Sequence, residues 1–223
     1  MKVKREILVI AFKLFILSLF CSFPIFIHLD ILPIRIWDES RLSINAYEML
    51  KNNNWLIPYF EGKPDMWNTK PPLMIWMQVI CSKIFGYSEL AMRLPSAIAA
   101  FLLVLYLQYF VKRYLNNFWF GLITCIVLVT SYGYINVHST RTGDYDSLLC
   151  LFLVVYVLSY FLYLDHKNKR DLILFFVALI LAVLTKSIQG LLFLPALFLY
   201  TLMDKKFFIF KDLNVYKGIA LFV

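Results

Sequence analysis

The sequence predicts an all-α, polytopic transmembrane protein, and three observations carry that prediction. Hydrophobic residues make up 61% of the 223 positions and charged residues 16%, with a mean hydropathy of +0.73, far from the proportions of a soluble domain. The apolar residues gather into runs that read as about six membrane spans and the start of a seventh at 218–223. The formal net charge of +8 collects in short clusters beside those runs: Lys2, Lys4 and Arg5; Lys112 and Arg113; Lys167, Lys169 and Arg170; Lys205, Lys206 and Lys211. Basic clusters in that placement follow the positive-inside rule and argue against nucleic-acid binding. Cys21, Cys81, Cys125 and Cys150 stand singly in apolar stretches and read as small hydrophobes.

Residues 7–27 follow a basic N-terminus and read as a retained membrane helix, because the run approaches spanning length and carries no small-x-small cleavage site. With the N-terminus inside, the first outer loop covers 28–89, and its stretch 36–76 is the longest hydrophilic interval in the chain. There Asp38 is predicted to cap a helix whose first turn holds Glu39. Leu42, Ala46, Met49 and Leu50 fall on one face and Arg41, Asn45 and Glu48 on the other, the pattern of a helix lying in the membrane surface. Pro58, Gly62 and Pro64 mark turns, Lys70-Pro71-Pro72 opens a second helix, and Gly86 closes it. Trp37, Trp55, Trp67 and Trp76 suit the headgroup zone.

Further spans are predicted at 90–111, 118–135 and 147–164, with the outer turn 136–146 between the last two. The apolar stretch 172–203 is interrupted by Lys186. Its flanking runs of about 14–16 residues rise only about 21–24 Å against about 30 Å of hydrocarbon, so the turn at Lys186 is expected to sit below the outer surface. The chain stops inside an apolar run and reads as the N-terminal part of a longer protein, with 1–223 forming one transmembrane module.

Several polar groups on the predicted outer side each admit two readings. Asp38 is a helix cap or a general base, with Glu39 beside it. Lys70 is a snorkelling lysine or a phosphate ligand at a helix start. Arg141, Asp144 and Asp146 are loop charges or the lining of a polar cavity, and His138 reads as a loop residue. Lys186 either snorkels to the outer headgroups or meets an anionic partner at depth.

Three stretches in order, 37–97 (WDESRLSINAYEMLKNNNWLIPYFEGKPDMWNTKPPLMIWMQVICSKIFGYSELAMRLPSA), 140–149 (TRTGDYDSLL) and 184–195 (LTKSIQGLLFLP), resemble a known family. It is that of the GT-C-fold glycosyltransferases that use polyprenyl-phosphate sugars, in the branch of the protein O-mannosyltransferases and lipid A aminoarabinose transferases. The resemblance implies that Asp38 is the first-loop catalytic aspartate, with Glu39 adjacent. It implies that Lys70 contacts the lipid-linked phosphate and that Asp146 is the acidic residue of the second outer loop, with Asp144 competing for that place. Lys186 matches the lysine of a TKG-like motif in which Ser187 here replaces the glycine. In the aminoarabinose branch an acid that helps hold a metal precedes the Lys-Pro pair. Thr69 stands there, which speaks against a divalent cation, and no other cofactor is implied.

The function expected from the resemblance is transfer of a sugar from a polyprenyl-phosphate-linked donor to a hydroxyl or phosphate of a lipid or protein acceptor. The reaction would take place on the outer face of the cell membrane, with inversion at the anomeric carbon. Lys70, Lys186 and Arg141 would stabilise the departing phosphate. No Gly-rich phosphate loop occurs, as expected for a donor without a nucleotide. Two alternatives stand beside this reading: a flippase or transporter of lipid-linked sugars, and a non-catalytic membrane scaffold.

Overall fold

The structure is a computed structural model that describes Lys13, residues 16–136 and residues 138–222. The N-terminal basic cluster and the start of the predicted span 7–27 lie outside the described residues. The architecture is helical: α1 (Ile16–Phe26), α2 (Asp38–Asn52), α3 (Leu73–Phe85), α4 (Glu89–Tyr114), α5 (Phe118–Thr130), α6 (Tyr132–Ile135), α7 (Asp146–His166), α8 (Lys169–Lys186), α9 (Leu194–Met203) and α10 (Leu213–Phe222). Two-residue strands, β1 (Tyr59–Phe60) and β2 (Lys63–Pro64), form an antiparallel hairpin inside the first loop. Among the described residues, three helical segments are long and apolar enough to cross a membrane: 89–114, 146–166 and 169–191. The protein is an integral membrane protein.

The long helix α4 is the spine, packing against α3, α5 and α7, while α7 also packs against α8. Ala91, Ala97, Ala99 and Ala100 are buried along α4, and such small residues let neighbouring backbones approach closely where lipid supplies no hydrophobic drive. At the other end of α4, Arg113 forms a bidentate pair with Asp171 of α8, both contacts at 2.7 Å. Part of the predicted basic cluster thus ties two helices together.

Three sequence expectations change in detail. The run 118–135 is not one helix: α5 stops at Thr130 and Ser131 is extended. The Thr130 hydroxyl donates back to the Ile126 carbonyl, and the Ser131 hydroxyl to the Val127 carbonyl, an acceptor that a continuing helix would have used. Asp38 does not cap α2. Trp37 occupies the cap position at φ +85°, and no side chain caps the helix. Finally, the apolar face of α2 is not left for lipid, because Leu42, Ala46 and Met49 are buried where α2 meets α3.

The predicted break at Lys186 is present. Helix α8 ends there, Ser187 takes φ +49° and ψ −123°, and a 3-10 turn (Ser187–Leu191) follows. Glycine adopts that backbone region freely, whereas a residue with a Cβ is strained in it.

Candidate active site

The starts of α2, α3 and α7 converge on a cavity of about 70 Å³. Asp38 comes from the first residue of α2, Lys70 from the turn before α3, and Tyr145 from the residue before α7. Arg41, Trp67 and Asn68 also line it. A wider cleft of about 460 Å³, lined by Trp37, Phe60, Trp67 and Ile36, shares Asp38 and Arg41 with this cavity.

The first loop is shaped by carboxylates that accept hydrogen bonds over long sequence distances. Asp65 accepts from Arg41 at 2.5 and 2.9 Å, from the Asn45 amide at 3.0 Å, and from the backbone N–H groups of Trp67 and Asn68. Burial by itself would raise the Asp65 pKa, but these donors outweigh it and bring the carboxyl down to about 2. Asn45, predicted on the polar face of α2, is fully buried under the hairpin and donates to the Tyr59 carbonyl at 2.7 Å. Asn68 donates to Asn45 and lies 3.3 Å from the Tyr145 hydroxyl, while its side-chain oxygen accepts the Lys70 N–H.

Asp38 is exposed, with 59% of its side chain accessible. Glu39, its neighbour, is 2% exposed and lines neither cavity. The Glu39 carboxylate accepts from Arg93 at 2.7 and 3.2 Å, from the Arg35 N–H at 2.8 Å and from the Gly143 N–H at 2.9 Å. Burial pushes the Glu39 carboxyl up, and the Arg93 guanidinium with the two amides more than reverses that. Arg93, itself 2% exposed, also donates to the carbonyls of Leu29, Leu32 and Pro33.

The loop before α7 is fixed to this core at Gly143. Its N–H goes to Glu39 and its carbonyl accepts from Gln78 of α3 at 3.0 Å. A Cβ at 143 would stand 2.9 Å from the Met92 carbonyl oxygen, so the approach requires glycine. Asp144 follows, 5% exposed. Burial raises its pKa, while the Thr142 hydroxyl at 3.0 Å and His138 oppose that rise. The His138 Nδ1 lies 3.2 Å from Asp144 and 3.9 Å from Asp38. Ligand atoms of Asp38, His138 and Asp144 lie within 4.8 Å of one another, a geometry that suits a protonated imidazole or a divalent cation shared among them.

The structure therefore brings Asp38 and Lys70 to one cavity, sets Asp144 beside Asp38 across His138, and leaves other predicted site residues outside. Asp146 pairs with Lys186, so that lysine has its anionic partner within the chain. Arg141 donates to the Ile27 carbonyl at 2.9 Å, bracing the end of α1. Lys70 has no carboxylate within ion-pair distance among the described residues. Its ammonium stands 4.8 Å from the centre of the Tyr145 ring. His138, read from the sequence as a loop residue, lies in a loop between Asp38 and Asp144; sequence reasoning did not single out Tyr145 or the Arg93–Glu39 pair, and no spacing signal marks Tyr145.

Apolar helices whose starts line a polar cavity define the class: a polytopic membrane protein of the GT-C glycosyltransferase fold. The same fold appears in ArnT from Cupriavidus metallidurans, whose crystal structure bound to undecaprenyl phosphate matches with a TM-score of 0.75 at 20% identity, over 96% of this chain and 39% of that one. The family described as dolichyl-phosphate-mannose-protein mannosyltransferase matches residues 69–223, and the chain belongs to that family. An uncharacterized protein of Aquifex aeolicus is 29% identical over 171 residues, which is 74% of this chain and 33% of that protein. The undecaprenyl phosphate-alpha-4-amino-4-deoxy-L-arabinose arabinosyl transferase of Pseudomonas savastanoi is 35% identical over 68 residues, 30% of this chain and 12% of that protein. The chain thus spans a third or less of the length of these two relatives.

Proposed function

We propose that residues 1–223 form the catalytic module of a membrane glycosyltransferase, with 28–89 as its first extracytoplasmic loop. The enzyme moves a sugar from a polyprenyl-phosphate-linked donor to a hydroxyl or phosphate of a lipid or protein acceptor outside the cell membrane. The observation that carries this reading is that one cavity is lined by both an accessible carboxylate, Asp38, and an un-neutralised ammonium, Lys70. Family membership and the lipid-linked donor in the names of relatives support the donor class.

In this reading the acceptor O–H gives its proton to Asp38 as its oxygen bonds to the anomeric carbon. The bond from that carbon to the phosphate oxygen breaks, and the phosphate leaves with the electron pair. Lys70 supplies the countercharge at that oxygen. A single displacement inverts the anomeric configuration. Glu39 acts by holding the loop that carries Asp38, and Lys186 acts through Asp146.

Replacing Asp38 with Asn removes the base while retaining side-chain shape. Transfer from a polyprenyl-phosphate sugar should fall by about 10²–10⁴-fold, with undecaprenyl phosphate binding kept within about twofold. Wild-type transfer by Asp38→Asn would sink the assignment.

A further inference from the structure

The segment Asp144-Tyr145-Asp146 puts an aromatic ring between two carboxylates, and only the ring meets Lys70. The reason lies in what already occupies the acids. Asp144 faces Thr142 and His138, and Asp146 faces Lys186. Had either acid paired with Lys70, the cavity's ammonium would be neutralised. Tyr145 is 3% exposed, so its ring has little freedom to turn away. Its hydroxyl lies 3.3 Å from the amide of Asn68, and the side-chain oxygen of that Asn accepts the backbone N–H of Lys70 itself. One asparagine therefore sets both the ring and the backbone that carries the ammonium.

We propose that Tyr145 is a positioning residue for Lys70: its ring face holds the ammonium at the cavity wall by cation–π attraction without cancelling its charge, keeping a full cation ready for a lipid phosphate monoester. This inference rests on the reading of Lys70 as a phosphate ligand. A lysine is a flexible point charge that loses rotamer freedom when it binds. A ring that attracts the charge through its quadrupole reduces that freedom beforehand. A carboxylate would do the same, but at the expense of the charge that the phosphate needs.

The test is equilibrium binding of undecaprenyl phosphate to the protein in nanodiscs, with undecaprenol as the control lacking phosphate. Tyr145→Phe keeps the ring and its quadrupole and should bind within about twofold of wild type. Pentafluorophenylalanine at 145 keeps the shape but reverses the ring's quadrupole, and should weaken phosphate binding by about two- to fivefold. Difluorophenylalanine should fall between the two, and it serves in place of the pentafluoro variant if that protein does not fold. In a Lys70→Met background, fluorination should change nothing. Undecaprenol binding should be indifferent to fluorination throughout.

Lys70→Met that binds undecaprenyl phosphate like wild type would overturn the phosphate reading, and this proposal with it. Weakening by Lys70→Met together with no effect of fluorination would overturn the role of Tyr145 alone. A fluorination effect that survives in Lys70→Met, or extends to undecaprenol, would mean that the ring touches the lipid itself, and would also overturn it.

Discussion

The Gly143 N–H donates to Glu39 Oε1 at 2.9 Å, joining two residues 104 positions apart. Asp38 precedes one of them and Asp144 follows the other, so this single bond sets two carboxylates on either side of His138. Arg93 donates to the same Glu39 oxygen at 2.7 Å.

Arg93→Met is therefore expected to be among the most damaging substitutions outside the cavity. It leaves the buried Glu39 carboxylate without its cation and frees three backbone carbonyls. Loss of one partner from a buried pair costs about 3–5 kcal/mol. Thermal unfolding in nanodiscs measures this, and a melting temperature equal to wild type would contradict the clasp.

Asp65 supplies a pH dependence with a definite sign. Its carboxyl is held at about 2 in the folded chain, against about 3.9 for a free aspartate. A lowered pKa contributes stability that is complete above the unfolded value and is lost as pH falls through the folded one. Asp65→Asn should thus be less stable than wild type at pH 7 by about 1–3 kcal/mol, the scale for charged hydrogen bonds. The gap should close between about pH 4 and pH 2. A gap that stays constant across that window would show that Asp65 is not ionised in its network.

Ser187 offers a stabilising change. At φ +49° and ψ −123° it holds a conformation suited to glycine. Ser187→Gly should stabilise the chain by about 1 kcal/mol and raise the melting temperature by about 2–4 °C. A lower melting temperature would mean that the serine hydroxyl makes a contact worth more than the strain.

What could be read from the sequence was whatever depends on near neighbours. Lys70 before a proline pair and Asp38 at a helix start were visible, and so was the break at Lys186, because each is marked within a few residues. What closes the site was not visible. Glu39 meets Arg93 across 54 positions and Gly143 across 104, and no local pattern records such a meeting. Periodicity gave α2 its apolar face but could not tell whether lipid or α3 would cover it. Asn45 sits on the polar face of the pattern and is buried all the same, because the hairpin folds over it.

The guanidinium of Arg93 also imposes an order on biogenesis. The carbonyls of Leu29, Leu32 and Pro33, made first, wait for a donor synthesised about sixty residues later. Glu39 waits longer still, for the amide of Gly143. A nascent chain emerging from its insertion machinery therefore carries the loop between α1 and α3 unfinished until α4 has been delivered and the loop before α7 has reached it. Until then those groups lack the partners that close the loop, and an early halt in synthesis would leave a chain that has its first helices but no closed site.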